Sequence, residues 1–140
     1  MKTVAILGSG IMGAGIAQVA AQAGLSVILR DLQMGIVKDG LVTIEQNLDK
    51  MIKRGSLLAD EKPKILDRIN VTTDLTDVQN SDLVIEAVVE NMAVKKQIFA
   101  ELDNICSDHT ILATNTSSLS ITEIAASTKR PDRVLGMHFF

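Results

Sequence analysis

A chain of 140 residues is the size of one domain around one core, and its make-up, 46% hydrophobic and 22% charged with a formal net charge of −3, is ordinary for a soluble globular protein. That charge gives no electrostatic footprint for nucleic acid, and with no Trp, no Tyr and three Phe there is little aromatic surface on which to stack bases. A single cysteine, Cys106, excludes an internal disulfide and fits a reducing compartment.

Taken in chain order, strand-length apolar runs alternate with helical periodicity. Lys2 is followed by too few apolar residues for a leader or a membrane span, so a cytoplasmic location with no membrane partner is expected. The run TVAIL (3–7) predicts a strand covered on both faces. Residues 11–23, small and apolar, predict a helix lying close on the sheet and stopped by Gly24. SVILRD (26–31) predicts a second strand. Over 36–54, Val37, Leu41, Ile44, Leu48 and Met51 recur at steps of four and three and mark one face of a helix. Asp60 is placed to cap a further helix through residue 66, with Pro63 in its first turn.

Strands are then expected at 69–74 and 82–89, a helix at 94–105 and a strand at 110–114. Ser120 and Glu123 have capping-box spacing for a helix ending before Pro131, and 133–139 is the last expected strand. Six strands interleaved with helices predict an α/β fold: a doubly wound parallel sheet of Rossmann type, helices on both faces, in one domain over 1–140.

The stretch AILGSGIMGAG carries Gly8, Gly10 and Gly13 at the G-x-G-x-x-G spacing, after a strand and opening a helix. In that setting Gly8 permits a tight turn, Gly10 lets backbone approach a pyrophosphate, and Gly13 lets helix and strand meet closely, with phosphates at the helix N-terminus. Asp31 closes the second strand, where this fold uses an acid to bind the adenosine ribose diol. A carboxylate there repels a 2′-phosphate, so NAD is expected as cofactor. Arg30 beside it has two readings: a partner for a 2′-phosphate, or an alternating solvent-facing position.

Ligands of open α/β sheets bind outside the carboxyl ends of the strands. At those ends stand the glycine loop, Asp31, Glu90 with Asn91, the run Asn115, Thr116, Ser117, Ser118, and His138. Each has a plain alternative: a charge favouring the next helix, loop and cap residues, a strand histidine bonded to a carbonyl. Their convergence beside a dinucleotide loop points to oxidation of an alcohol, which needs a base for the hydroxyl proton. His138 fits that need better than His109, which sits in a turn. No set of residues suggests a metal.

VAILGSGIMGAGIAQVAA, DLVIEAVVEN, ILATNTSSLSITEIA and RPDRVLGMHFF, in this order, resemble the N-terminal half of the 3-hydroxyacyl-CoA dehydrogenases over essentially the whole chain. KKQIFAELDNIC with TKRPDRVLGMHFF is most similar to the bacterial 3-hydroxybutyryl-CoA branch. The resemblance implies oxidation of an L-3-hydroxyacyl-CoA to the 3-oxoacyl-CoA with NAD, or the reverse. It implies that Ile11 and Met12 lie in the cofactor loop with the glycines, and that Val89, Glu90 and Lys95 line the cofactor. By the same likeness Ser117 stands between cofactor and substrate hydroxyl, and His138 is the base. Asn47, Lys53 and Arg54 match loosely a segment that contacts coenzyme A; cations completing a helix C-terminus are the alternative for the two basic residues.

In the family the histidine motif continues with Asn-Pro, a glutamate about a dozen residues on orients the histidine, and a helical second domain makes the dimer. None of these is within the 140 residues. The chain alone is therefore expected to bind NAD and to be catalytically incomplete. The competing readings are a non-catalytic NAD-binding module and another β-hydroxyacid dehydrogenase.

Overall fold

The structure, a computed structural model, describes residues 1–116 and 119–139. Its centre is β1 (Thr3–Leu7), whose side chains alternate between two apolar layers. Val4 and Ile6 point to a cluster built with α1 (Ile11–Gln22), α2 (Met34–Lys53) and α3 (Glu61–Asp67). Ala5 and Leu7 point to the opposite cluster, with Phe99 and Leu102 of α4 (Met92–Ile105) and Ile124 of α5 (Ile121–Ala125). A strand apolar on both sides has this arrangement as its natural outcome.

The remaining strands are β2 (Ser26–Arg30), β3 (Ile69–Thr72), β4 (Leu83–Glu86), β5 (Ile111–Thr114) and β6 (Val134–Gly136), in the all-parallel order β3-β2-β1-β4-β5-β6. The order reverses between β1 and β4, which opens a crevice at their carboxyl ends. Leu7 is in register with both Arg30 and Glu86, and Glu86 with Thr114. The next residues, Gly8, Ala87, Asn115 and Met137, still donate N–H to the neighbouring strand (2.8–3.0 Å). These bonds lock the start of each site loop to the sheet.

Several expected boundaries shift. β4 and β6 are shorter than the runs 82–89 and 133–139, because the apolar character of Ala87, Val88 and Val89, and of Met137 and Phe139 around His138, continues after the chain has left the pairing. Asp60 has helical backbone angles and makes no side-chain cap for α3, so the expected capping there is absent. Asn91, by contrast, caps α4 by accepting from the Val94 N–H (3.1 Å). Ser120 accepts the Glu123 N–H (3.2 Å) as the capping box predicts, while the Glu123 carboxylate pairs with Lys96 at 2.9 Å. Gly24, at φ +94°, ends the first helical segment as expected.

Candidate functional site

The glycine loop divides its labour. Gly8 has φ +100°, and a Cβ there would lie 2.5 Å from the Ala87 carbonyl oxygen; one at Gly13 would overlap the Gly8 carbonyl. These two glycines are demanded by the fold itself. A Cβ at Gly10 would meet nothing within 4 Å, so the backbone there faces open space. Gly10 is also the N-cap of α1 and offers no side chain to its first amides, and no acid stands in the first turn. Open N–H groups at the positive end of a 12-residue helix suit a phosphate.

Asp31 follows β2 and is held from two sides. The Ser9 N–H donates to its Oδ2 (2.8 Å), with the Ser9 hydroxyl at 3.0 Å, and the Leu32 N–H donates to Oδ1 (2.8 Å). Ser9 is buried and its hydroxyl also reaches the Ile36 carbonyl at 3.2 Å, so the start of α2 steadies the loop. Gly40 of α2 rests against the same serine, where a Cβ would stand 2.6 Å from Ser9 O. Arg30 turns its Nε to the Thr73 carbonyl (3.1 Å), towards the β3 end.

Two hollows open along this edge and share Ala87 and Val88 as a ridge. The larger, about 490 Å³, is bounded by Gly8, Gly10, Asp31, Leu32 and Val89, with Arg30 and the first turns of α4. The smaller, about 260 Å³, gathers Met12, Glu90, Lys95, Asn115 and His138. His138 is exposed, just past β6, and Asn115 holds the neighbouring backbone by accepting the Phe139 N–H on Oδ1 (3.2 Å). Ile11 is 90% exposed and borders a third, apolar hollow of about 350 Å³ with Val19 and Phe139.

Glu90 and Lys95, in the wall of the smaller hollow, form a polar cluster with Glu86, which was not among the expected site residues. Glu86 and Lys95 are fully buried and paired, and Lys95 Nζ also lies 3.3 Å from Glu90 Oε1. Glu86 further accepts the Thr114 hydroxyl (2.6 Å) and the Val88 N–H (2.8 Å), and the Thr116 hydroxyl donates to Glu90 (2.8 Å). A buried pair is tolerable because these partners satisfy both charges. Lone carboxylates inside apolar runs are the available signal for such a residue, and Glu86 in DLVIEAVV is one.

Ser117 lies outside the described residues. Asn47 donates to Gln18 Oε1 (3.2 Å), while Lys53 and Arg54 stand exposed at the C-terminal end of α2, outside these hollows. That position serves either reading, cations completing a helix end or exposed groups for coenzyme A. His109 is half-exposed and sits 3.2 Å from Asp82, away from the strand carboxyl ends. Cys106 caps the end of α4, where burial pushes its thiol up to about 11, unsuited to nucleophilic chemistry at neutral pH. Among the described residues no group of His, Cys, Asp and Glu is arranged to hold a metal, and no helix is long and apolar enough to cross a membrane.

Residues 3–140 match the family model for the 3-hydroxyacyl-CoA dehydrogenase NAD binding domain. The chain belongs to that family. It is 49% identical over 137 residues to a 3-hydroxybutyryl-CoA dehydrogenase of Clostridioides difficile, covering 98% of this chain and 49% of the relative. It is 46% identical to the 3-hydroxyadipyl-CoA dehydrogenase of Escherichia coli, covering all of this chain and 30% of the relative. The crystal structure of the (S)-3-hydroxybutyryl-CoA dehydrogenase of Ralstonia eutropha superposes with a TM-score of 0.97 at 44% identity, over 100% of this chain and 50% of that one. The chain thus spans half or less of the length of these relatives. As an NAD-binding domain of this family, it has residues that fit the cofactor: an open Gly10 backbone at a helix N-terminus, and a carboxylate at the end of β2.

Proposed function

We propose that this chain is the cofactor-holding part of an enzyme that oxidises L-3-hydroxybutyryl-CoA to the 3-oxoacyl-CoA, or runs the reverse. The observation that carries the proposal is the small hollow in which the loop residue Met12 meets Glu90, Lys95, Asn115 and His138, next to the larger one bounded by Asp31. When bound, NAD supplies the hydride acceptor. The open backbone at Gly10 and the first turn of α1, with Ile11 and Met12, would hold its phosphates in the loop that Gly8 and Gly13 allow to form, and Asp31 would bind the adenosine ribose in the hollow that Leu32 and Val89 also line. Glu90 and Lys95 line its nicotinamide end.

His138 takes the proton of the substrate hydroxyl as the C–H bond breaks, and returns it in the reverse direction. A histidine ring can both accept and donate a proton, which suits a step that runs both ways. Ser117 is assigned to the substrate hydroxyl by the same proposal. The resemblance puts the acid that orients the histidine beyond these 140 residues, so the chain alone is assigned cofactor binding and little turnover. Dimerisation is proposed only for a chain of the relatives' length.

The test is NADH-dependent reduction of acetoacetyl-CoA by the 140 residues and by the same residues within a chain of the relatives' length. In the longer chain His138→Gln is expected to leave NAD affinity nearly unchanged and to lower the rate by about 10²- to 10⁴-fold. A variant that keeps its rate removes His138 as the base.

A further inference from the structure

We infer that the buried carboxylate of Glu86 sets the redox-state preference of the nicotinamide end of the site, favouring the oxidised, cationic dinucleotide over the reduced, neutral one. The inference rests on the NAD reading above and goes beyond it by giving Glu86 a positioning and electrostatic role. Glu86 is 0% exposed and Lys95 1% exposed, so water screens little of the field they make. The Lys95 ammonium faces Glu86 Oε2, Glu90 Oε1 at 3.3 Å and the Val88 carbonyl at 3.5 Å. Two carboxylates therefore share one ammonium. Thr114 and the Val88 N–H fix Glu86 (2.6 and 2.8 Å), and Thr116 fixes Glu90 at 2.8 Å.

Lys95 and Glu90 line the hollow that also holds Met12, Asn115 and His138, and Glu86 stands directly behind Lys95. Without the Glu86 charge Glu90 alone balances the ammonium, and the cluster moves one unit towards positive, from a net negative charge to neutral. The nicotinamide ring itself differs by one unit of charge between its two redox states. A change in the charge of the wall thus acts on the oxidised form and leaves the neutral form nearly untouched. A purely structural role for Glu86 has a different signature, because disordering the wall weakens both forms alike.

The test is calorimetric titration of this chain with NAD⁺ and with NADH, for the unmodified protein, Glu86→Gln, and the double variant Glu86→Gln/Lys95→Met. In Glu86→Gln the ratio of the NAD⁺ to the NADH dissociation constant is expected to rise about five- to tenfold, the effect of one charge acting through the wall. The double variant removes one charge of each sign. Its absolute affinities fall because Lys95 lines the site, yet its ratio is expected to return to within about twofold of the unmodified chain. It also keeps the test available if the single variant loses its fold, since exchanging a whole buried pair for neutral groups is far better tolerated than breaking it. Equal weakening of both forms by Glu86→Gln, or a ratio in the double variant displaced from that of the unmodified chain, overturns the inference. An unmodified chain that binds neither form overturns the NAD reading, and the inference with it, which is distinguishable from an unmodified chain that binds both.

Discussion

The carboxylate of Asp31, proposed to bind the adenosine ribose, is held in place by its neighbours. It is fixed by Ser9 and the Leu32 N–H, and Ser9 in turn leans on Ile36 and Gly40. Gly40 therefore separates two effects that normally run together. Helix propensity alone predicts that Gly40→Ala stabilises α2 by about 1 kcal/mol. The contact predicts the opposite, because the new methyl stands 2.6 Å from the Ser9 carbonyl, a backbone atom with little room to yield. Gly40→Ala is expected to lower the melting temperature and to weaken NAD about tenfold or more by displacing Asp31, both read from a thermal melt and a calorimetric titration. The acid was legible in the sequence because its distance from the glycine loop is characteristic. Gly40 was not: inside a helical pattern it reads only as a weak position. Glu86 and Lys95 were partly hidden for a related reason, since a carboxylate and an ammonium on different elements become a pair only once the chain has closed.

At the level of elements, the ends of the site strands depend on how α4, β5 and β6 are joined. Arg130, just before β6, donates through Nε to Asp103 (2.7 Å) and through its two other nitrogens to the carbonyls of Asp103, Cys106, Ser107 and Thr110. These are the open carbonyls at the end of α4 and the turn into β5. A lysine has three donors and no planar fork, so it cannot span them. Arg130→Lys is expected to cost about 2–4 kcal/mol in a denaturant titration, and a variant within 0.5 kcal/mol of the original contradicts this role. Patterning located the six strands and five α-helices of the described residues but overran β3, β4 and β6, and it missed the short 3-10 turns at 75–78 and 131–133. Apolar residues that leave the sheet to wall a hollow look the same in sequence as residues still paired, as Val88 and Val89 do. Asp60 failed as a cap for a comparable reason: the residue type was right, but its backbone is already helical.

Across the whole molecule, one arrangement underlies the proposed function: the six parallel strands of the described residues end at one edge, and the loops after β1, β2, β4, β5 and β6 border two adjoining hollows. This was legible from the alternation of strand and helix patterns together with polar residues after each apolar run. At the opposite edge the strand starts are tied together by side-chain bonds. There Asp82 accepts the N–H groups of Lys2 and Thr3 (2.8 and 3.0 Å), bonds that hold its carboxyl below the usual carboxylate range. The two edges thus give a direct contrast. Titration of the isotope-labelled chain with NAD, followed by amide NMR, is expected to shift Gly8, Gly10, Asp31, Ala87 and Asn115 in a saturable way. Lys2, Ser26, Asp82 and Ile111 at the far edge should stay in place, and NADP should need a clearly higher concentration for the same shifts. Shifts at the far edge, no saturable shift at all, or NADP acting at the lower concentration would contradict a dinucleotide site built on Gly10 and Asp31.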